Sequence, residues 1–310
     1  MIFWISSYPK SGNTWVRAMI SALLYSEDGV FKFNQLSKIP RYPDKIHFEN
    51  FTEKYDDLHE IKKYWLASQE RINLGNKINF FKTHHMNCRI ENYNFTNNKN
   101  TLATIYVVRD PRNIVSSVSN HFGLSINESK NYLLTPRILG RSFWNPSERE
   151  AKSLLGTWKD HYRSWTSDRR NLLIIKYEDL VNNTTKELDN IIFFLKKFID
   201  INTNDFKNQN IIKSTSFENL EKLESEGKFD EAAFNKTKNQ AVKFFNLGPK
   251  NTWENILEKS IITGKKISIW YNQVSDFSIK TFICSNIQFV GFSFFLDFNK
   301  IYALSFNNIY

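Results

Sequence analysis

Glycine, proline and cysteine are scarce in this chain of 310 residues, which contains 10 Gly, 7 Pro and 2 Cys. So little glycine and proline excludes a collagen-like or low-complexity chain. The two cysteines, Cys88 and Cys284, cannot build a disulfide framework, and a chain of this length needs none. The apolar run at 2–5 is far shorter than the ~7–15-residue core of a secretory leader, so a cytoplasmic protein is expected.

Acidic residues and long apolar runs are also few. The 42 lysines and arginines outnumber the 32 aspartates and glutamates, and the net charge is +10. This positive surplus attracts anions. The partner could equally be nucleic acid, an anionic membrane face or a phosphorylated small molecule, because net charge does not distinguish them. The uncharged stretch at 281–296 is short for a membrane span and contains Ser, Asn and Gln, so membrane insertion is not expected.

Strand patterns alternate with helical patterns along the chain. Apolar β-branched and aromatic runs predict strands at 1–5, 78–81, 103–108 and 172–175. Apolar periodicity predicts helices from Thr14 and at about 147–165 and 184–197. Asn-rich segments at 92–100 and 202–210 predict surface loops. The alternation favours an α/β fold with a central parallel β-sheet flanked by helices, whose ligands bind at the carboxyl ends of the strands.

The turn after the first strand has the composition of a phosphate-binding loop. It reads Tyr-Pro-Lys-Ser-Gly-Asn-Thr-Trp at 8–15, where backbone N–H groups and the helix dipole favour an anion. Gly12 lets the backbone come close, and Lys10 adds a positive charge. Three side chains offer further donors: Ser11, Asn13 and Thr14. The loop is P-loop-like but not a Walker loop, because its lysine precedes the glycine. A capped helix with a lysine nearby is the alternative interpretation.

Two later segments place polar side chains after predicted strands. Arg109 follows one strand and offers a planar fork for phosphate oxygens, and Ser117 stands eight residues further on, in a predicted helix. Lys82-Thr83-His84 follows another strand, and a histidine with a pKa near ~6.5 can accept a proton at neutral pH. His85 is the rival base, because side-chain alternation allows only one of the two histidines to face a cleft.

These three segments together resemble the sulfotransferases that use 3′-phosphoadenosine 5′-phosphosulfate (PAPS). The resemblance implies transfer of a sulfuryl group from PAPS to a hydroxyl, or less readily an amine, without a metal. It implies a 5′-phosphosulfate loop at 8–15 and a 3′-phosphate site at Arg109 and Ser117. It also implies one catalytic base, His84, and two catalytic lysines, Lys10 and Lys82.

Weaker matches to the same family imply further contacts with the nucleotide. Their residues are Trp15, which would stack on adenine, and Tyr177, Thr215 and Phe217. The family's last cofactor segment has Arg-Lys-Gly followed five residues later by Trp. Here Gly248 and Trp253 keep that spacing, but Asn and Leu replace the two cations at 246–247.

The lost cation matters because a charge-assisted hydrogen bond is worth ~1.5–3 kcal/mol. Lys243 and Lys250 are candidates to replace it, and the sequence does not choose between them. The resemblance covers about 1–257, which is predicted to be the sulfotransferase domain. Residues 258–310 would then be an aromatic-rich extension of unknown role.

Two other classes compete with this prediction. A P-loop nucleotide kinase would need a Walker lysine after Gly12, where Asn13 and Thr14 stand. A non-enzymatic nucleic-acid-binding protein would need clustered basic residues, whereas they are dispersed here, so no nucleic acid is expected. The acceptor, expected to be a small molecule, glycan or lipid, would be bound by loops at 31–60 and 120–146. The sequences of these loops identify neither the acceptor nor the oligomeric state.

Overall fold

A computed structural model describes residues 1–140, 150–227, 229, 234–235, 240–241 and 243–256. Four strands form one parallel sheet in the order β2-β1-β5-β8, with bounds β1 (Ile2–Ser7), β2 (Asn79–Thr83), β5 (Thr101–Val108) and β8 (Leu172–Lys176). The predicted α/β class is confirmed, and each predicted strand lies within two residues of an observed one.

Six two-residue strands form three antiparallel pairs. These are β3 (Arg89–Ile90) with β4 (Tyr93–Asn94), β6 (Ile138–Leu139) with β7 (Ser153–Leu154), and β9 (Phe234–Asn235) with β10 (Gln240–Ala241).

Helices cover the sheet on both faces. Within the described ranges the α-helices are α1 (Asn13–Tyr25), α2 (Leu58–Ile61), α3 (Trp65–Asn73), α4 (Pro111–Phe122), α5 (Ile126–Leu134), α6 (Trp158–Thr166), α7 (Tyr177–Asn182), α8 (Thr184–Leu195), α9 (Asp205–Ser214), α10 (Phe217–Ser225) and α11 (Trp253–Ile256). Short 3-10 helices lie at Phe33–Lys38, Lys45–His47, Lys62–Tyr64 and Gly248–Lys250. None of the helices in these ranges combines the length and apolar character that crossing a membrane requires.

The core lies on both sides of β1. Phe3 and Ile5 pack into a cluster with α1 and α8, whereas Trp4 packs into a second cluster with side chains from α3, α4 and α6. A strand buried on both faces needs a continuous apolar run, which explains why 2–5 carry no polar residue. Because β1 lies between β2 and β5, the carboxyl ends of these three strands meet at one edge of the sheet.

Two predicted elements are wrong in their bounds. The helix predicted at about 147–165 starts only at Trp158, because Gly156 has φ +67° and Thr157 caps the new helix by accepting a hydrogen bond from the Asp160 N–H. The predicted loop at 202–210 ends early, because Asn204 caps α9 through the Lys207 N–H. The predicted extension at 258–310 lies outside the described residues.

Candidate active site

The turn after β1 leads directly into the start of α1. Gly12 is the N-cap residue and has φ +101°, a left-handed conformation that favours glycine. A Cβ atom on Gly12 would lie 2.7 Å from Cδ2 of Tyr177, so a side chain does not fit there. The N–H groups of Trp15 and Val16 both donate to the Gly12 carbonyl, at 3.1 and 3.2 Å. The N–H groups before them precede the helical ladder, which is the geometry of an anion site.

Lys10 is a buried cation in this turn. Its Nζ atom is inaccessible to solvent and lies 3.6 Å from the ring centroid of Phe244, and it has no hydrogen-bond partner among the described residues. Burial, with the nearby charge of Arg109, lowers the pKa of Lys10 to about 7. A buried charged donor without an acceptor is costly, so Lys10 is suited to an anion.

Arg109 joins Lys10 from the end of β5. Its Nη1 donates to the Lys10 carbonyl at 3.2 Å, and its guanidinium lies 4.0 Å from the ring centroid of Tyr177. The buried Nε of Arg109 has no hydrogen-bond partner among the residues that the structure describes. The Trp15 ring meets Tyr177 edge-on at 5.8 Å, and its Nε1 likewise has no partner among them. The fold therefore brings four predicted nucleotide-binding residues together: Gly12, Trp15, Arg109 and Tyr177.

The other side chains of the loop differ in what they can offer. The hydroxyl of Ser11 is buried and has no partner within the described parts of the chain, and Thr14 lies buried in the first turn of α1. The side-chain amide of Asn13 donates to the Ile5 carbonyl at 3.0 Å and to Ser7 Oγ at 3.2 Å. These bonds use both hydrogens of that amide. The group with which Asn13 can contact the phosphosulfate is therefore its backbone N–H.

His84 lies beside the loop, in an orientation that sets its tautomer. Its Nδ1 donates to the Ser7 carbonyl at 2.7 Å, which leaves Nε2 as the nitrogen that accepts a proton. The carbonyl of His84 accepts a hydrogen bond from His161 Nε2 at 3.1 Å, and the Tyr106 hydroxyl donates to His161 Nδ1 at 2.9 Å. Burial holds the pKa of His161 well below its usual range, so His161 is neutral.

His85 points the other way, into the core. Its ring stacks on Phe95 with centroids 4.0 Å apart and meets Trp65 edge-on at 4.8 Å. Its Nδ1 donates to the Met86 carbonyl at 2.7 Å, and burial lowers its pKa to about 3. Of the two adjacent histidines, only His84 therefore faces the loop, as the alternation argument requires.

Sequence reasoning missed His121. It lies on α4, with its ring 4.7 Å from Phe122 and 5.9 Å from Phe244, and its buried Nδ1 has no partner in the described ranges. Burial, and then the charges of Lys10 and His84, lower the pKa of His121 to about 3. His121 thus lies close to two of the predicted catalytic residues, Lys10 and His84. One signal was available, because it stands one helical turn after Ser117.

The remaining predicted residues surround this centre less closely. Lys82 is half-buried on β2, where it pairs with Ile5, and Ser117 is half-buried on α4. Thr215 is fully buried and its hydroxyl donates to the Ile211 carbonyl at 2.8 Å. Phe217 packs on Gly248, where an added Cβ would lie 2.3 Å from its ring.

The segment after Gly248 is attached to α4. Asn251 accepts a hydrogen bond from Ser116 Oγ at 2.6 Å and donates to the Asn113 carbonyl at 2.7 Å. Of the two candidate replacement cations, Lys243 is paired with Glu221, whereas Lys250 is exposed and has no ion pair among the described residues. Lys250 is therefore the better candidate. Nowhere in the described ranges do three His, Cys, Asp or Glu side chains group as metal ligands would.

Comparison with known proteins gives one family match and several relatives. The family model described as "Sulfotransferase domain" matches residues 2–273. Luciferin sulfotransferase of Photinus pyralis is 27% identical over 232 residues, which span 70% of this chain and 55% of that protein. The 3-alpha-hydroxysteroid sulfotransferase of Cavia porcellus is 26% identical over 221 residues, or 70% and 65% of the two chains. The chain thus spans less than two thirds of these relatives' length.

Two solved structures show the same fold. A mouse sulfotransferase complexed with PAP aligns with a TM-score of 0.51 at 18% identity, over 90% of this chain and 85% of that one. Retinol dehydratase in complex with retinol and PAP aligns with a TM-score of 0.56 at 14% identity, over 92% and 83%.

Proposed function

Since residues 2–273 match the sulfotransferase domain, the chain belongs to that family, and we propose that it transfers a sulfuryl group from PAPS to a hydroxyl of a small acceptor. An amine is the less favoured acceptor. The observation that carries this proposal is Lys10, a buried ammonium beside Arg109 at the start of α1, for which the described part of the chain provides no hydrogen-bond partner. Such a site suits an anion with several charges, and His84 stands at its edge as a base.

The transfer exchanges one bond for another. The acceptor oxygen bonds to sulfur while the bond between sulfur and the 5′-phosphate oxygen breaks, and 3′-phosphoadenosine 5′-phosphate (PAP) leaves. Lys10 neutralises the charge that grows on the leaving phosphate. Nε2 of His84 takes the proton of the acceptor hydroxyl. Lys82, from the neighbouring strand, assists at the transferring group.

The residues around these groups fix their positions. The bond from His84 Nδ1 to the Ser7 carbonyl ties the base to the end of β1, from which the loop starts. Arg109 and Ser117 would hold the 3′-phosphate, while Trp15, Tyr177, Thr215 and Phe217 would hold the nucleoside. Because little covalent chemistry falls to the protein, positioning and charge stabilisation supply most of the rate.

A transfer assay tests the proposal. The protein is incubated with PAPS labelled in the sulfuryl group and with pooled phenols, sterols and sugars, and both labelled product and PAP are measured. We expect label in at least one hydroxyl acceptor, in equal amount to PAP, and loss of both signals in Lys10→Ala. The proposal fails if native protein neither binds PAP nor labels any pool.

Two narrower predictions, the cellular location and the domain boundary, are based on the sequence. A cytoplasmic location is supported by the low cysteine content. A domain boundary near 257 is supported by the position of the last matched motif, although the family match runs on to residue 273.

A further inference from the structure

Arg137 follows α5. Within the part of the chain that the structure describes, its Nε is buried without a hydrogen bond and no carboxylate pairs with it. Its guanidinium lies 4.6 Å from the ring centroid of Tyr132, whose buried hydroxyl also has no partner in the described ranges. Buried polar groups are nearly always paired, so two unpaired ones in contact indicate a ligand. We propose that Arg137 binds an anionic group of the acceptor, so that the acceptors of this protein are hydroxylated acids.

This inference rests on the proposed function, and two independent sets of contacts place Arg137 beside the active site. The first set runs through the phosphate loop. The Tyr8 hydroxyl donates to the Tyr132 carbonyl at 3.1 Å, and the two rings meet edge-on at 6.5 Å. Tyr8 is two residues before Lys10, so Tyr132 and the guanidinium above it flank the loop.

The second set of contacts runs through the segment that carries the base. The Leu155 N–H donates to the Arg137 carbonyl at 2.8 Å. The preceding carbonyl, that of Leu154, accepts from the Met86 N–H at 2.8 Å. Met86 is two residues after His84, so the backbone of Arg137 lies one strand away from the histidine segment.

A row of rings connects the two cations. The row runs from Arg137 through Tyr132, Phe122, His121 and Phe244 to Lys10. The distances from each ring centroid or charged group to the next are, in that order, 4.6, 5.1, 4.7, 5.9 and 3.6 Å. Phe122 is 43% exposed, so part of the row is open to a ligand. Aromatic rings favour planar partners. The row therefore suits a planar acceptor that lies on it with its anionic group at Arg137 and its hydroxyl directed toward Lys10 and His84.

The alternative is that Arg137 only packs on Tyr132, as an ordinary cation–π pair. Matched acids and amides separate the two roles. The probes are 4-hydroxyphenylacetate and 6-hydroxy-2-naphthoate, each compared with its primary amide, titrated calorimetrically into the full chain with and without PAP. The variants are Arg137→Gln and, as a control, Arg170→Gln, which removes an exposed arginine paired with Asp168.

We expect the native protein to bind at least one acid about tenfold or more tightly than its amide, as a charge-assisted hydrogen bond provides. Arg137→Gln should reduce that ratio to about one by weakening the acid alone, and Arg170→Gln should leave it unchanged. A merely structural Arg137 would change stability or both affinities together, but not the ratio.

Three results would overturn the inference: no binding of either acid to the native protein, equal affinity for acid and amide, or an unchanged ratio in Arg137→Gln. Failure of the proposed function is distinguishable, because it shows as absent PAP binding and absent label transfer. Acid binding that depends on Arg137 in a protein that neither binds PAP nor transfers label would leave the anion site intact and remove the sulfotransferase proposal.

Discussion

Replacing His84 by alanine tests the chemistry of the proposed site. A positioned general base contributes about 10²–10⁴-fold to a rate, which corresponds to about 3–5 kcal/mol of transition-state stabilisation. His84→Ala should lose that amount in kcat. PAP affinity should hardly change, because the His84 ring is held by the Ser7 carbonyl and its proposed task is to act on the acceptor and not on the nucleotide. A second variant, His84→Asn, can still donate to the Ser7 carbonyl but cannot accept the proton, so it should be as slow as His84→Ala.

The matched control is the neighbouring histidine. His85→Phe keeps the stack on Phe95 and removes one hydrogen bond to the Met86 carbonyl, so it should cost about 1 kcal/mol of stability and little turnover. The assay is label transfer from PAPS at saturating PAPS, with calorimetric PAP titration of each variant. In the native enzyme the rate should fall on the acid side, because a protonated imidazole cannot act as the base. Full turnover in both His84 variants would refute general-base catalysis by this residue, and loss only in His85→Phe would move the base by one residue.

Three further predictions concern the groups around His84. Lys10→Ala should lower kcat by about 10²–10³-fold in the transfer assay while the protein stays folded, and unchanged kcat would show that the loop does not hold the transferring group. Because the pKa of Lys10 is about 7 without ligand, the lysine is charged below that pH, so PAP affinity should fall as pH rises from about 7. Calorimetry in buffers of different ionisation enthalpy should then show proton uptake on binding at pH 8, and pH-independent affinity would contradict this. Tyr106→Phe removes the donor to His161 and frees its tautomer, so kcat should drop by about tenfold with PAP affinity unchanged. A change of acceptor should not restore the kcat of Tyr106→Phe. Equal losses in kcat and PAP affinity would indicate general damage to the protein instead of a positioning role.

Local patterns were enough to predict the fold class and the first turn of the site. The strand at 2–5 and the turn at 8–12 lie close together in the chain, and the residues of each segment are typical of its conformation. Alternation also predicted that only one of His84 and His85 faces the cleft, and the family resemblance selected His84. Lys10, Arg109 and Tyr177 are distant in sequence, and their proximity follows from parallel strands ending at one edge.

The rest depends on tertiary contacts that no local pattern carries. His121 lies near Lys10 because α4 packs on the sheet, and Phe244 contacts both residues. In the sequence, Arg137 has no feature that distinguishes it from a surface arginine. Its position is fixed by its contacts with Tyr132 and Leu155 in the folded chain. The late start of α6 at Trp158 depends on Gly156, where a Cβ would lie 2.8 Å from Met86 Sδ, a contact invisible in the sequence.

The nucleotide site is tested most directly by calorimetric titration of the native protein with PAP and with ADP. We predict that PAP binds with one-to-one stoichiometry and about tenfold or more tightly than ADP, because Arg109 and Ser117 would contact the 3′-phosphate in the proposed site. Ser117→Ala should weaken PAP alone, since ADP has no 3′-phosphate to lose contact with. Equal affinity for the two nucleotides, or no binding of PAP at all, would contradict the assignment of this site to PAPS.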